Sequence, residues 1–289
     1  MRVRVIAALA ALLVLSLAAT SGTAVAGSTS TPDRAKPRWF TKKFQKKLRK
    51  RDERGIKLSN ERINDACPGI QTGPGVQANG CIVTGCTANF IFTDGTSKYI
   101  GTARHCSAGV GTRVAMQVDT TTIADIGSVV KQTSGDGEPG NDFALIKIDA
   151  DVVSKWGVDP AIPVVGGPNG VYTGCGPEPI KFYGHGYGVA VSQGKPGGGL
   201  ATNWNNDGFG WTGSGLPGDS GSGVVTSTGQ AAGDLTHLIV DLGDYPGSNM
   251  AGMRATAILR FLGSGYSIVN ADGSTSRADT TNCSSGLPF

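Results

Sequence analysis

The chain has 289 residues, 39% of them hydrophobic, and a net charge of +4. That charge conceals a split: residues 33–62 carry thirteen Lys or Arg against four Asp or Glu, whereas from Cys67 onward eleven basic residues face seventeen acidic ones. An acidic body of that kind argues against nucleic acid as a partner, and no apolar run beyond the N-terminal one approaches the ~18 residues that a membrane span needs.

Residues 1–26 read as a secretory signal peptide. Arg2 and Arg4 give a positive start, an apolar stretch over 5–19 is broken only by Ser16, and Ala24-Val25-Ala26 forms a small-x-small cleavage signal. This reading sends the chain outside the cell as a secreted protein, so its six cysteines are expected to be disulfides. A zinc site is poorly supported, since there is no Cys-x-x-Cys and only three histidines. The segment 27–66 follows as a basic, propeptide-like leader. Trp39, Phe40, Phe44 and Leu48 fall at near-helical spacing, which predicts a short amphipathic helix. Such a run suits a removable leader, an electrostatic clamp on the acidic body, or an adhesive tail for anionic polymers. The leader is the reading taken, because basic residues between 47 and 54 offer many cleavage points.

The body, 67–289, is rich in the chain's 45 glycines. Short strand-like runs at 82–84, 113–118, 143–148, 223–226 and 238–240 alternate with turn signals, and the apolar stretches 89–92 and 99–100 read as a hairpin. Helical periodicity is scarce. This pattern predicts an all-β fold, and the length suits a single two-lobed domain. No internal repeat is visible in the sequence.

Three segments carry chemistry. In chain order they are Thr102-Ala103-Arg104-His105-Cys106, Asn141-Asp142-Phe143-Ala144-Leu145 and Gly218-Asp219-Ser220-Gly221-Ser222-Gly223. A serine hydroxyl is a weak nucleophile near neutral pH unless a histidine accepts its proton, and a carboxylate on the other ring nitrogen holds the useful tautomer. His105, Asp142 and Ser220 are therefore predicted to be a catalytic triad. Glycine at 218 lets the chain turn tightly, so the N–H groups of Gly218 and Ser220 are predicted to form an oxyanion hole. No cofactor or metal is required by this chemistry.

These motifs, over residues 81–269, resemble the His, Asp and Ser boxes of the chymotrypsin-like (trypsin-like) serine peptidases of the secreted bacterial kind. The resemblance implies two antiparallel six-stranded β-barrels with the active site in the cleft between them. His105 and Asp142 would lie on the first and Ser220 on the second, with the changeover within 151–170. It supports a Cys86–Cys106 disulfide beside His105; the sequence leaves the pairing of Cys67, Cys81, Cys175 and Cys283 open. The implied activity is a serine endopeptidase acting on protein or peptide substrates, working as a monomer. By position, Ser214 would lie at the base of the pocket for the substrate side chain, and because it is not acidic, Arg or Lys specificity is not expected. Thr236, His237 and Leu238 would supply the pocket wall and a strand that pairs with substrate. Leu238 would make the pocket shallow. His237 admits two readings, a satisfied strand residue or a group that binds a substrate glutamate. His185 reads as a loop residue.

Three features depart from the family pattern. Leu216 stands where many relatives have a pocket cysteine, the Ser box ends Ser222-Gly223, and no Ile-Val-Gly-Gly-like start occurs near 67–83. The animal zymogen switch therefore looks absent, and Asp219 needs an internal partner, for which Arg254 is the candidate. The 270–289 stretch is expected to be an irregular tail tied by Cys283. Two rival functions remain: a catalytically inactive protease-like binding or adhesion protein, and an esterase using the same triad.

Overall fold

Alternation and turn chemistry act together in the first hairpin. In the computed structural model, Cys86–Thr93 and Lys98–Thr102 pair antiparallel with Ile91 opposite Ile100 and Phe92 opposite Tyr99. Asp94 holds the turn between them: its Oδ1 accepts from the N–H groups of Thr96 (2.9 Å) and Ser97 (2.7 Å), and Tyr99 Oη donates to Oδ2 at 2.7 Å. A carboxylate gathering its own downstream amides is a common way to close a turn. The structure describes residues 55–58, 67, 75–83, 85–135, 137–186, 194–238, 247–281 and 283. All belong to one compact unit, Arg34–Phe289. The signal-peptide reading and the helix predicted around Trp39–Leu48 lie outside the described residues.

In chain order the strands are β1 (Gly55–Lys57), β2 (Val76–Gln77), β3 (Cys81–Ile82), β4 (Cys86–Thr93), β5 (Lys98–Thr102), β6 (Arg113–Gln117), β7 (Thr122–Gln132) and β8 (Ala144–Ile148). Helix α1 (Ala150–Trp156) and β9 (Val158–Asp159) follow. Then come β10 (Glu178–Gly184), β11 (Lys195–Trp204), β12 (Gly208–Ser214), β13 (Gly223–Thr226), β14 (Ala231–Asp234), β15 (His237–Leu238) and β16 (Met250–Met253). Helix α2 (Ala255–Leu262), β17 (Ser267–Val269) and β18 (Thr275–Ser276) complete the described chain.

The first sheet runs β3–β4–β5–β8–β7–β6 and returns to β3 through Ile82 opposite Met116, a closed barrel of six antiparallel strands. The second runs β14–β13–β10–β11–β12–β16, with β15 added on β16. Its two ends meet at one bridge, Gly233 to Arg254. Numbered by chain order within each ring, both have the cyclic order first, second, third, sixth, fifth, fourth. The fold is thus the chymotrypsin-like two-barrel arrangement, and the two halves repeat in topology what the sequence does not repeat in residues. The second barrel differs from the six-stranded expectation: it is a curled seven-stranded sheet, closed by a single bridge and not by a full ladder.

Phe90, Ile91, Phe92, Ile100, Met116, Phe143 and Ile146 belong to one buried apolar cluster that extends from the first barrel to Val225 of β13 and to α2, and Phe182, Phe209, Trp211, Val224, Leu235 and Met250 form a second within the other barrel. The last strand of the first sheet ends at Ile148 and the first of the second begins at Glu178. After the second barrel, α2 buries Ala255, Ala257, Ile258, Leu259 and Leu262, an apolar stripe of helical period that two turns make too short to stand out. The chain then returns to the first barrel, where β17 pairs with the end of β4. The 270–289 stretch is therefore not wholly irregular, since β18 forms a hairpin with β17. The disulfides are Cys86–Cys106, as the resemblance implied, with Cys67–Cys81 and Cys175–Cys283.

Candidate active site

His105 sits in a short 3₁₀ turn, Arg104–Cys106, directly after β5. Asp142 ends a second such turn, Pro139–Asn141, directly before β8. Because β5 and β8 are neighbours, with Thr102 opposite Ala144, the barrel brings together two residues 37 positions apart. His105 Nδ1 lies 2.6 Å from Asp142 Oδ2, and the His105 backbone N–H donates to Oδ1 at 2.9 Å. Thr133 braces the Asp turn: its Oγ1 accepts from Phe143 N–H at 3.0 Å and lies 2.8 Å from Asn141 O. Cys86–Cys106 fixes the residue next to His105 to the start of β4.

Burial by itself would raise the Asp142 carboxyl. The hydrogen bond and charge of His105, its backbone N–H, and His237 outweigh that effect and hold it below the usual carboxylate range. A carboxylate kept ionised on Nδ1 leaves Nε2 of a neutral His105 as the proton acceptor.

Ser220 lies in the turn between β12 and β13. Gly218 (φ 100°) and Gly221 (φ 91°) flank it, both in the left-handed region that favours glycine. At 221 a methyl group would stand 2.2 Å from Thr87 O and 2.4 Å from Thr102 Oγ1, so only glycine lets this turn press against the first barrel. Thr87, on that barrel, clamps the turn. Its N–H donates to Ser220 O (2.9 Å), its Oγ1 donates to Gly218 O (2.9 Å), and the same oxygen accepts from His185 N–H (3.0 Å). Asn79 extends the seam, donating to Tyr183 O (2.7 Å) and Gly223 O (3.0 Å) and accepting from Gly223 N–H (2.9 Å). The carbonyl of Ser220 lies 3.8 Å from Cys106 Sγ, which sets the serine turn against the segment that bears His105.

Within the turn, Asp219 N–H donates to Leu216 O, whereas the N–H groups of Gly218 and Ser220 have no acceptor among the described residues. Ser220 Oγ makes no hydrogen bond to His105 in the structure; such contacts often tighten only when substrate is bound.

Asp219 is fully buried. Its carboxylate accepts from Gly186 N–H (2.6 Å) and Leu216 N–H (2.8 Å). Burial raises its carboxyl, and those two amides and the charge of Lys195 only partly offset this. Arg254 is not its partner, which corrects the sequence expectation. That guanidinium is fully buried, donates to Asn205 O (3.0 Å) and Gly174 O (2.8 Å), and lies 4.9 Å from the Trp204 ring centre.

The residues singled out for substrate binding separate into two groups. Ser214 is exposed at the end of β12, opposite Gly198 of β11. Leu238 is half-buried, and a methyl at Gly215 would meet both Met250 Cε (2.0 Å) and Leu238 Cδ2 (3.4 Å), so these side chains lie against the segment leading to Ser220. Thr236 faces the interior, with Oγ1 3.4 Å from Pro139 O, and so serves as a support and not as a wall. His237 is neither outward nor remote. Its Nδ1 lies 2.9 Å from Thr236 Oγ1 and 4.0 Å from Asp142 Oδ2, and its ring centre is 6.3 Å from that of His105. Burial lowers its pKa, and the Asp142 charge works in the opposite direction.

His185 is a buried histidine whose Nε2 lies 3.0 Å from Asn79 O. Cys86, His105 and Cys106 form a cluster within 4.8 Å, but the two sulfurs are bonded to each other and Nδ1 is engaged by Asp142, so the cluster holds no thiolate for a metal. Sequence reasoning missed Thr87, Asn79 and the buried carboxyl Asp234, which accepts from Met253 N–H (3.2 Å) and from Asn89 at 3.4 Å. Burial, and then the charge of Asp142, push Asp234 well above the usual range. No motif marks such residues, because their partners come from distant segments. A groove of about 560 Å³ lies behind the Asp142 turn, bounded by Asn141, Asp207, Met253, Arg260 and Phe261; it does not include Ser220.

Searches of protein-family models and of curated proteins found no match. Solved structures similar to the chain include a thermostable serine protease AL20 from an extremophilic microorganism, 14% identical over 60% of this chain and 86% of that one (TM-score 0.40). A Glu endopeptidase in complex with MPD is 17% identical over 70% and 90% (0.41), and Thermobifida fusca Protease A is 18% identical over 58% and 83% (0.37).

Proposed function

We propose that the chain is an exported serine endopeptidase that hydrolyses peptide bonds through an acyl-enzyme on Ser220. The observation that carries this reading is the 2.6 Å contact of His105 with an ionised Asp142, on the barrel that also clamps the Ser220 turn through Thr87. In the reaction, Ser220 Oγ attacks the scissile carbonyl while its proton passes to His105 Nε2. Asp142 stabilises the resulting imidazolium. The N–H groups of Gly218 and Ser220 receive the developing oxyanion, which is worth about 3–4 kcal/mol per donor. His105 then protonates the leaving amine, and water hydrolyses the ester by the same steps in reverse order. The two uncommitted amides in the turn support the oxyanion role.

The preference is for non-basic side chains of small or medium size, because Ser214 brings no negative charge and Leu238 and Met250 crowd the neighbouring segment. The Asp142 contact of His237 favours a role in supporting the carboxylate over one in binding a substrate anion. Three disulfides support an oxidising, extracellular destination. The test is mass spectrometry of the mature chain before and after a fluorophosphonate, with Ser220→Ala as control. One adduct per chain, absent in the variant, is the expected result. A folded chain with no adduct would overturn the proposal, and ester cleavage without protein cleavage would redirect it to an esterase.

A further inference from the structure

The basic leader does not end where the body begins. We propose that residues 55–58 are a retained strand of the mature protein, and that hydrolytic removal of the leader stops at the Arg54–Gly55 bond or upstream of it. The strand fills a gap in the first barrel. β8 pairs with β7 only from Gly127 onward, which leaves residues 122–124 of β7 without a partner on that side. β1 takes up that edge, with Gly55 opposite Ala124, Ile56 opposite Ile123 and Lys57 opposite Thr122. Leu58 N–H continues the pairing to Thr121 O at 2.8 Å. An uncovered edge of this kind is a template for pairing with other chains.

Packing points the same way. Ile56 is 8% exposed and sits in a small apolar cluster with Cys67, Cys81, Val83, Ala115 and Ile123. That cluster is closed by the Cys67–Cys81 bridge, so removing β1 would open it to water. Gly55 is tightly enclosed as well: a side chain there would meet Thr122 Cγ2 at 2.8 Å and Trp156 Cζ2 at 3.0 Å.

The consequence concerns which bonds a processing enzyme can reach. A protease needs a segment free to enter its own cleft. Lys57 is held in a ladder, which leaves Arg54 as the last basic residue ahead of the strand. Water adds across the bond that is cut; hydrolysis at Arg54–Gly55 leaves a carboxylate on Arg54 and an amine on Gly55. On the reading given above, Ser214 makes this chain unsuited to the cut, so a separate protease with basic specificity supplies it. The new terminus lies opposite Ala124, eight residues along β7 from Gln132, whose partner Ala144 lies two residues after Asp142, so about 26 Å of strand at ~3.3 Å per residue separates them. The Asp219 carboxylate is already engaged by the N–H groups of Gly186 and Leu216.

The test is limited trypsinolysis of the full exported chain as Ser220→Ala, with mass spectrometry of the resistant core. A core beginning at Gly55 or upstream is expected, and a core beginning after Lys57 overturns the proposal. In the same chain, Ile56→Asp should expose the strand and speed cleavage after Lys57 at least tenfold. Ile56→Ala takes its place if the Asp variant is not exported. Unchanged cleavage in a folded variant overturns the proposal, and the readout does not depend on whether Ser220 is catalytic.

Discussion

Replacing Thr87 with valine tests the seam that joins the two barrels at the serine turn. The side chains are nearly isosteric, so packing changes little, but the hydroxyl is lost. Two groups lose a partner: His185 N–H, which donates to Oγ1 at 3.0 Å, and Gly218 O, which accepts from it at 2.9 Å. His185 is buried, so losing this bond from its N–H costs about 1–3 kcal/mol, and the lost bond to Gly218 adds about 1 kcal/mol. The sum, about 2–4 kcal/mol, should lower the folding equilibrium constant by about thirtyfold to a thousandfold. Urea denaturation of the disulfide-intact protein at pH 7 measures this directly. Thr87→Ser keeps the hydroxyl and should retain most of the stability. Activity adds a second readout, because Gly218 N–H is a proposed oxyanion donor. Fluorophosphonate labelling of still-folded Thr87→Val should slow at least tenfold, while Thr87→Ser labels at close to the parental rate. Equal stabilities for the Val and Ser variants, with equal labelling rates, would refute the claim that this hydroxyl positions the turn.

Gly221→Ala should abolish labelling and lower the yield of folded protein, because the methyl would stand 2.2 Å from Thr87 O at a φ of 91°; a stable, active variant would show that the turn can retreat. Asp142→Asn should reduce kcat by a factor on the order of 10⁴ with little change in KM, measured on a protein or peptide substrate. The same variant tests linkage. The folded pKa of Asp142 is lowered, so its ionised form stabilises the fold above the unfolded carboxylate pKa of about 3.9, and that contribution fades as pH falls through the lower folded value. The stability difference between parent and Asp142→Asn should be full at pH 6–7 and vanish toward acid; a difference that grows on acidification would reverse the assignment. Removing Cys86–Cys106 by double serine substitution should cost about 3 kcal/mol in the loop-entropy model, for a separation of 20 residues. It should slow Ser220 labelling further than stability alone explains, because Cys106 follows His105; labelling that tracks the folded fraction would remove the positioning role.

The sequence by itself determined the all-β class, several of the strands, the first hairpin, and the candidate chemical groups. Alternation and turn residues are local properties, so 113–118 and 143–148 were legible as β6 and β8, and 223–226 as β13. The triad candidates were legible because three short boxes each carry a reactive residue in a distinctive context, and the glycines at 218 and 221 mark a turn that few other residues permit. What the tertiary structure decided is everything that depends on which segments meet. The repeated barrel topology, the return of β17 to β4, the pairing of Cys67 with Cys81 and of Cys175 with Cys283, and the seam built on Thr87 and Asn79 all join residues far apart in the chain. Arg254 shows the limit: charge alone suggested Asp219, yet burial directed the guanidinium to backbone carbonyls and an aromatic face, while Asp219 took two amides. His237 could not be settled from its neighbours in sequence, because the contact that defines it, with Asp142, is made across the cleft. Likewise Ile56 sits among charged residues in the sequence, and only the edge of β7 at 122–124 explains why residues 55–58 form a strand. Local patterns record what a segment can form; burial and long-range pairing select which of those possibilities is realised.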